Sequence, residues 1–306
     1  MPAARPRRIV ALLNAGSGPR HDPKVAETVR TSLGRAGAEV DVREIASGTS
    51  IDDAIAGALA GRPDVVVAGG GDGTVSAVAG ALVDSEIVLG VLPLGTLNHF
   101  AKDLGIPLAL EEAAEAIVGG RVVRVDVGEV NGRVFVNNSS LGLYPEIVRD
   151  REQQQRRLGR GKWPALAWAS LAALRRYAFL KVTLRIDGTE HLRRTPFVFV
   201  GNNEYRMEGF AIGERQGSLC DGRLSVYFAQ RPGRLRLLVL ALRALVGRLR
   251  QARDFEALLV ADFVIESGHR TLRVATDGEI SEMRTPLRYR TRPSCLRVAV
   301  PAASGR

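Results

Sequence analysis

Cysteine, histidine and aromatic residues are scarce in this 306-residue chain, and each scarcity removes a class of function. Cys220 and Cys295 are the only two cysteines and form no C-x-x-C pair, which argues against a thiolate zinc site, a redox dithiol or a disulfide scaffold. The four histidines, His21, His99, His191 and His269, are scattered and give no spaced metal pair. Aromatic residues make up 5% of the chain, too few to interleave the basic stretches with base-stacking rings, so nucleic acid is not expected as a partner. Long apolar runs are missing as well. The suspicious uncharged stretch, Trp163 to Leu174, has twelve residues, whereas a membrane-spanning helix needs about 20. The start, Met1-Pro-Ala-Ala-Arg-Pro-Arg-Arg, is basic but runs straight into a strand-like segment, unlike a signal peptide. No Gly-x-Ser-x-Gly elbow supports a serine hydrolase. These absences predict a reduced, cytoplasmic chain that does not cross a membrane.

What is abundant is glycine, with 33 residues, and positive charge, with a formal net charge of +10. The charge is concentrated. Arg149 to Lys181 carries a local charge of +7, and Arg231 to Arg253 contains seven arginines and no acid. Such concentration points to an anionic surface. After Pro232, Arg236, Arg243 and Arg250 recur on one helical stripe, with Leu235, Leu238, Leu242, Leu245, Val246 and Leu249 covering the remainder. A helix of this kind suits a membrane interface, and equally a domain helix with a leucine-lined core side and a solvated basic face. Trp163 and Trp168 share the ambiguity, as interface belts or core anchors.

The first 128 residues alternate strand and helix patterns. Strands are predicted at Ile9–Leu13, Val40–Ile45, Asp64–Ala68, Ile87–Leu92 and Val122–Val127. Helices are predicted at Lys24–Ala36, Ile51–Ala60 (entered through Ser50 and Asp53), Thr74–Val83 and Glu111–Val118. This rhythm implies a doubly wound α/β domain, its parallel sheet covered on both faces. After Gly128 the pattern becomes mostly antiparallel. Val130-Asn131-Gly132-Arg133 and Ile186-Asp187-Gly188-Thr189 are hairpin signals, and further strands are expected at 196–200, 224–228, 260–266, 272–276, 287–291 and 296–300. The expected organisation is an α/β domain over 1–128 and a β-sandwich-like domain over 129–306.

The most informative segment is Gly69-Gly70-Gly71-Asp72-Gly73-Thr74, between a buried strand and a helix. Glycines there expose backbone N–H groups, and the helix adds its positive end, a combination suited to phosphate. It is not the dinucleotide fingerprint, because Ser76 stands where the third glycine would be, nor a P-loop, since no Gly-Lys-Ser/Thr occurs. Asn14-Ala15-Gly16-Ser17-Gly18 and Pro93-Leu94-Gly95-Thr96-Leu97-Asn98 follow two other strands at the same sheet edge. In open α/β sheets ligands bind at that edge, so the three loops can converge on one nucleotide.

These motifs, together with Thr276-Asp277-Gly278-Glu279, resemble the diacylglycerol kinase catalytic-domain family of bacterial lipid kinases and sphingosine kinases. NAD kinases share the Gly-Gly-Asp-Gly-Thr element. The resemblance implies a nucleotide-binding α/β domain, a β-sandwich-like lipid-binding domain, and a last strand that returns to the first domain. It implies ATP and Mg²⁺ as cofactors. Asn14, Gly16, Ser17 and Gly18 match the first nucleotide loop. Gly70, Gly71, Asp72, Gly73 and Thr74 match the phosphate loop, and Gly95, Thr96 and Asn98 the third. Asp277 and Glu279 match the element that supplies the general base and an ATP–Mg²⁺ ligand; the sequence does not settle which does which, with Asp277 the first choice for accepting the proton of the acceptor hydroxyl and Glu279 the rival. Asp72 and Glu279 are candidate Mg²⁺ ligands. Asp221, with backbone carbonyls near Ser218 and Arg223, matches a structural Mg²⁺ element of some relatives. The chain departs from the usual pattern with Ser76-Ala77, with His99 in place of an acid, and with no proline in Ala211–Arg215.

The resemblance implies a kinase that phosphorylates diacylglycerol or a related lipid alcohol (a sphingoid base or ceramide) and works peripherally at the inner, anionic face of the membrane. The alternatives are an NAD-kinase-like soluble kinase and a non-catalytic lipid- or nucleotide-responsive protein. A homodimer through the β-rich half is compatible with the sequence, but no residue demands it.

Overall fold

The computed structural model describes residues 7–14, 24–35, 37–46, 48–142, 180–186, 188–203, 205–208, 211–215, 220–229 and 255–302. The two basic stretches fall almost wholly outside these, as do Arg236, Arg243, Arg250, Trp163 and Trp168. Among the described residues no helix is long and apolar enough to cross a membrane. The chain divides into two units, Met1–Val127 with Pro293–Arg306, and Gly128–Arg292.

The first unit contains β1 (Arg8–Asn14), α1 (Lys24–Gly34), β2 (Glu39–Ile45), α2 (Ile51–Ala60), β3 (Val65–Gly70), α3 (Asp72–Leu82), β4 (Val88–Pro93), α4 (His99–Asp103), α5 (Leu110–Gly119) and most of β5 (Arg121–Val130). The sheet order is β2-β1-β3-β4, all parallel. β3 and β4 are buried at every position, the mark of a sheet covered on both faces. β2, at the edge, is buried only at Ile45. Helices α1 and α5 pack together, and α5 lies on β4, while α2 and α3 pack on β1 and β3. Ser50 takes the N-cap position of α2, but its side chain makes no capping hydrogen bond. The fifth predicted strand does not extend the parallel row. That place beside β4 is taken by the end of the last strand, where Val298 pairs in parallel with Leu89. β5 pairs instead with the last strand and, antiparallel, with β6.

The second unit continues with β6 (Arg133–Phe135), β7 (Asn138–Gly142), β8 (Leu180–Ile186), β9 (Thr189–Thr195), β10 (Phe197–Gly201), β11 (Tyr205–Glu208), β12 (Ala211–Arg215), β13 (Leu224–Ala229), β14 (Phe255–Val260), β15 (Asp262–Ser267), β16 (Thr271–Thr276), β17 (Glu279–Arg284) and β18 (Leu287–Val300). One antiparallel sheet runs β14-β13-β10-β7-β16-β17, and a second face is built from β18, β15, β8 and β9. Period-two alternation turns Val182, Leu184, Leu287 and Tyr289 inward against Val198 and Val274. At the centre Phe263 stacks on Tyr289 with ring centroids 4.9 Å apart, and Phe135 meets Tyr289 edge-on at 6.3 Å. The buried Tyr289 hydroxyl bonds Ser139 Oγ at 3.0 Å; burial raises its ionisation above the ordinary tyrosine range. Asn131-Gly132, with φ of 48° and 85°, forms the expected primed hairpin turn.

Candidate active site

In the first unit the chain leaves β1 for β2 on one side and reaches β3 on the other, so the strand order reverses between β1 and β3. Ligands of open α/β sheets bind outside the strand ends at such a point. Asn14, Gly69–Thr74 and Pro93–Asn98 all lie there, at the carboxyl ends of β1, β3 and β4.

Hydrogen bonds tie Asn14, the β3–α3 turn and the 93–98 loop together. Asn14 Nδ2 donates to Thr74 Oγ1 at 3.0 Å, joining the first loop to the second. Gly70 O accepts from the N–H groups of Leu94 at 3.2 Å and Gly95 at 3.1 Å, joining the second to the third. Asn98 is buried and in the left-handed region, with φ 50°. Its Oδ1 accepts from Gly95 N at 3.0 Å, and its Nδ2 donates to Pro93 O at 3.2 Å and Gly95 O at 2.9 Å. A Cβ on Gly95 would sit 2.5 Å from Gly71 Cα and 2.9 Å from Asn98 Oδ1. The two loops therefore meet glycine to glycine, at a separation only a missing side chain permits.

Gly71 is the N-cap of α3 and brings no side-chain cap. The first-turn N–H groups of Asp72, Gly73 and Thr74 thus head an eleven-residue helix whose dipole favours an anion. No lysine or arginine occurs within 69–74 or 93–98. Backbone amides, not side-chain cations, are what this platform offers a phosphate. Asp72 is half-buried, and its Oδ1 receives only a long hydrogen bond, 3.4 Å, from Phe100 N. Thr96 is exposed and His99 opens α4, half-buried. Gly16, Ser17 and Gly18 lie outside the described residues.

In the second unit Asp277 and Gly278 form a two-residue hairpin turn between β16 and β17, with φ of 48° and 91° and Thr276 opposite Glu279. This is a type I′ geometry, for which Asp-Gly is a preferred sequence. The Asp277 carboxylate accepts three backbone N–H groups: Val136 at 2.8 Å on Oδ2, and Asn137 at 2.8 Å and Asn138 at 2.9 Å on Oδ1. Glu279 Oε2 pairs with Arg133 NH2 at 2.6 Å, its side chain 61% exposed. Val136, Asn137 and Asn138 carry no motif in the sequence, and Arg133 figures there only as the end of a hairpin signal. Nothing local could have marked them, since each meets its partner through about 140 residues of intervening chain. Asp221 and Arg223 are exposed just before β13, and Ser218 lies outside the described residues.

For a metal, no group of three or more His, Cys, Asp or Glu side chains comes together among the described residues. A structural zinc or an all-protein calcium cage finds no ligands there. Single carboxylates beside an amide-rich phosphate platform do fit Mg²⁺, which is commonly held by one or two carboxylates plus substrate phosphates.

Residues 8–130 match the model of the diacylglycerol kinase catalytic domain, and residues 146–300 match the YegS C-terminal NAD kinase beta sandwich-like domain. The chain is 39% identical over 94 residues to a protein of Escherichia fergusonii named "Probable lipid kinase YegS", covering 29% of this chain and 31% of that one. It is 40% identical over 90 residues to the diacylglycerol kinase of Bacillus subtilis, covering 28% and 30%. These matches span about a third of each relative's length. A crystal structure of a diacylglycerol kinase from Bacillus anthracis shares the fold at TM-score 0.71 and 20% identity, covering 98% of both chains. The chain belongs to the family that joins a diacylglycerol kinase catalytic domain to a YegS-type β-sandwich-like domain.

Proposed function

We propose that the protein is an ATP-dependent lipid kinase that transfers the γ-phosphoryl group of ATP to the hydroxyl of diacylglycerol or a related lipid alcohol, a sphingoid base or ceramide. The observation that carries this reading is the platform of three loops, closed by the Gly71–Gly95 contact at the strand-order reversal. It offers helix N–H groups as donors to a phosphate and leaves no room for a side chain on Gly95.

Phosphoryl transfer asks a protein mainly for positioning and charge neutralisation. The first-turn amides of α3 hold the phosphates, and Asn98 fixes the third loop against them. Asp72 would hold Mg²⁺, and its single weak hydrogen bond, 3.4 Å long, supports that role. When bound, Mg²⁺ neutralises phosphate charge, which matters more here because the platform has no lysine or arginine. The Asp-Gly-Glu turn serves the acceptor side, one of its carboxylates taking the proton of the lipid hydroxyl. Access to a bilayer falls to the two basic stretches, whose arginines suit an anionic leaflet at the inner face of the membrane.

The β-sandwich-like family description favours one rival, a soluble NAD kinase. Purified protein given Mg²⁺, γ-labelled ATP and mixed micelles of diacylglycerol, monoacylglycerol, sphingoid base or ceramide decides the acceptor class. Label is expected in one lipid fraction. ATP bound but label in none of them removes the lipid-kinase reading.

A further inference from the structure

The sequence favours Asp277 over Glu279 as the proton acceptor, but their surroundings point the other way. We infer that Asp277 is a positioning residue: its carboxylate clamps the β6–β7 connection and thereby fixes Glu279, the carboxylate of this turn that is left open to the reaction. The inference rests on the lipid-kinase reading for what Glu279 serves, and on hydrogen bonds alone for what Asp277 does.

Both oxygens of Asp277 are engaged, Oδ1 by the N–H groups of Asn137 and Asn138 and Oδ2 by that of Val136. Three donors converging on one carboxylate stabilise its charged, accepting form and oppose its taking up a proton, Oδ1 being doubly engaged. The backbone reinforces the grip. Asp277 N donates to Asn138 O at 2.8 Å, so residue 138 is held by both its N–H and its carbonyl. The left-handed φ of Asp277, which a longer or branched residue resists, turns the side chain back onto this segment instead of along the strand.

Glu279 is engaged once. Oε2 is bound to Arg133, and Oε1 has no hydrogen-bond partner among the described residues. Arg133 begins β6, three residues before the first amide that Asp277 holds. One short stretch, residues 133–138, is thus gripped at its start through Glu279 and at its end through Asp277. Loosening the Asp277 end frees the turn to move on its strands and carries Glu279 with it.

The test compares Asp277→Asn, Asp277→Ala and Glu279→Gln by steady-state kinetics and by amide hydrogen exchange at Val136, Asn137 and Asn138. Asparagine keeps one oxygen that can accept from Asn137 and Asn138. Asp277→Asn should retain kcat within about tenfold, and Asp277→Ala should lose roughly 100-fold in kcat while exchange at 136–138 speeds up by a similar factor, the size expected for charge-assisted bonds. KM for ATP should stay unchanged in both. Glu279→Gln should lower kcat without changing exchange. If Asp277→Asn instead loses activity as fully as Asp277→Ala while its amides stay protected, Asp277 acts on the reacting groups and the inference falls. Should the unaltered protein phosphorylate no lipid, the functional reading fails by itself, and unchanged exchange in Asp277→Ala would separately overturn the clamp.

Discussion

Two turns carry the chemistry-bearing residues of this protein, and they are built on opposite principles. The β3–α3 turn of the first unit works by subtraction. Its glycines let Gly71 and Gly95 touch and leave helix amides uncapped. The β16–β17 turn of the second unit works by addition, through a carboxylate that gathers three backbone donors from a distant segment. The first is damaged by a Cβ added at Gly95, the second by the loss of the Asp277 carboxylate. Even the glycines differ: a Cβ on Gly95 would collide with backbone, while a Cβ on Gly278 would meet nothing within 4 Å.

That contrast can be broken at several points. Asp72 carries little of the fold, so Asp72→Ala should cut turnover by roughly 1,000-fold, the scale of a lost transition-state contact, and leave the melting temperature nearly unchanged. Substantial residual activity would remove this loop from the mechanism. Gly95→Ala should weaken ATP binding by about 100-fold in calorimetry, because backbone must shift to clear the clash at 2.5 Å. Gly278→Ala, strained only by its φ of 91°, should cost about 1–2 kcal/mol of stability and leave ATP affinity intact. Equal effects of the two substitutions on ATP binding would erase the distinction.

The smallest effect lies in the sandwich core. Tyr289→Phe strands the Ser139 hydroxyl and should cost about 1 kcal/mol in denaturant unfolding. Burial raises the Tyr289 ionisation above that of the unfolded chain, near pH 10. The folded state therefore keeps its proton more tightly, and the stabilisation is complete below about pH 10 and lost as the pH rises beyond it. Tyr289→Phe should flatten that alkaline loss; an unchanged slope would assign it to other groups.

The α/β and antiparallel halves were legible in the sequence because apolar periodicity reports burial directly. Ile51–Ala60 was predicted with its observed limits. β3 runs two residues past its predicted end because Gly69 and Gly70 pair with Leu92 and Pro93; glycine weakens a strand, but ladder bonds hold it here. The sequence predicts two strands here, at 287–291 and 296–300, on either side of Pro293. The structure carries β18 through it, with Ser294 in a left-handed conformation and its N–H satisfied by Asp126 Oδ1 at 2.7 Å. β17 is not among the expected strands; the Asp277-Gly278 turn leads into it, pairing Thr276 with Glu279. The loop residues of the first unit could be named from strand ends alone. The partners of Asp277 and Glu279 could not, since only tertiary pairing brings residues 133–138 to them.

The central claim is that a lipid hydroxyl receives the γ-phosphoryl group. Its most direct test is a single competition reaction containing the protein, Mg²⁺, γ-labelled ATP, dispersed diacylglycerol and an equal concentration of NAD, followed by phase separation. The account predicts label in the organic phase, absent with Asp72→Ala. Label confined to the aqueous phase as phosphorylated NAD would contradict it.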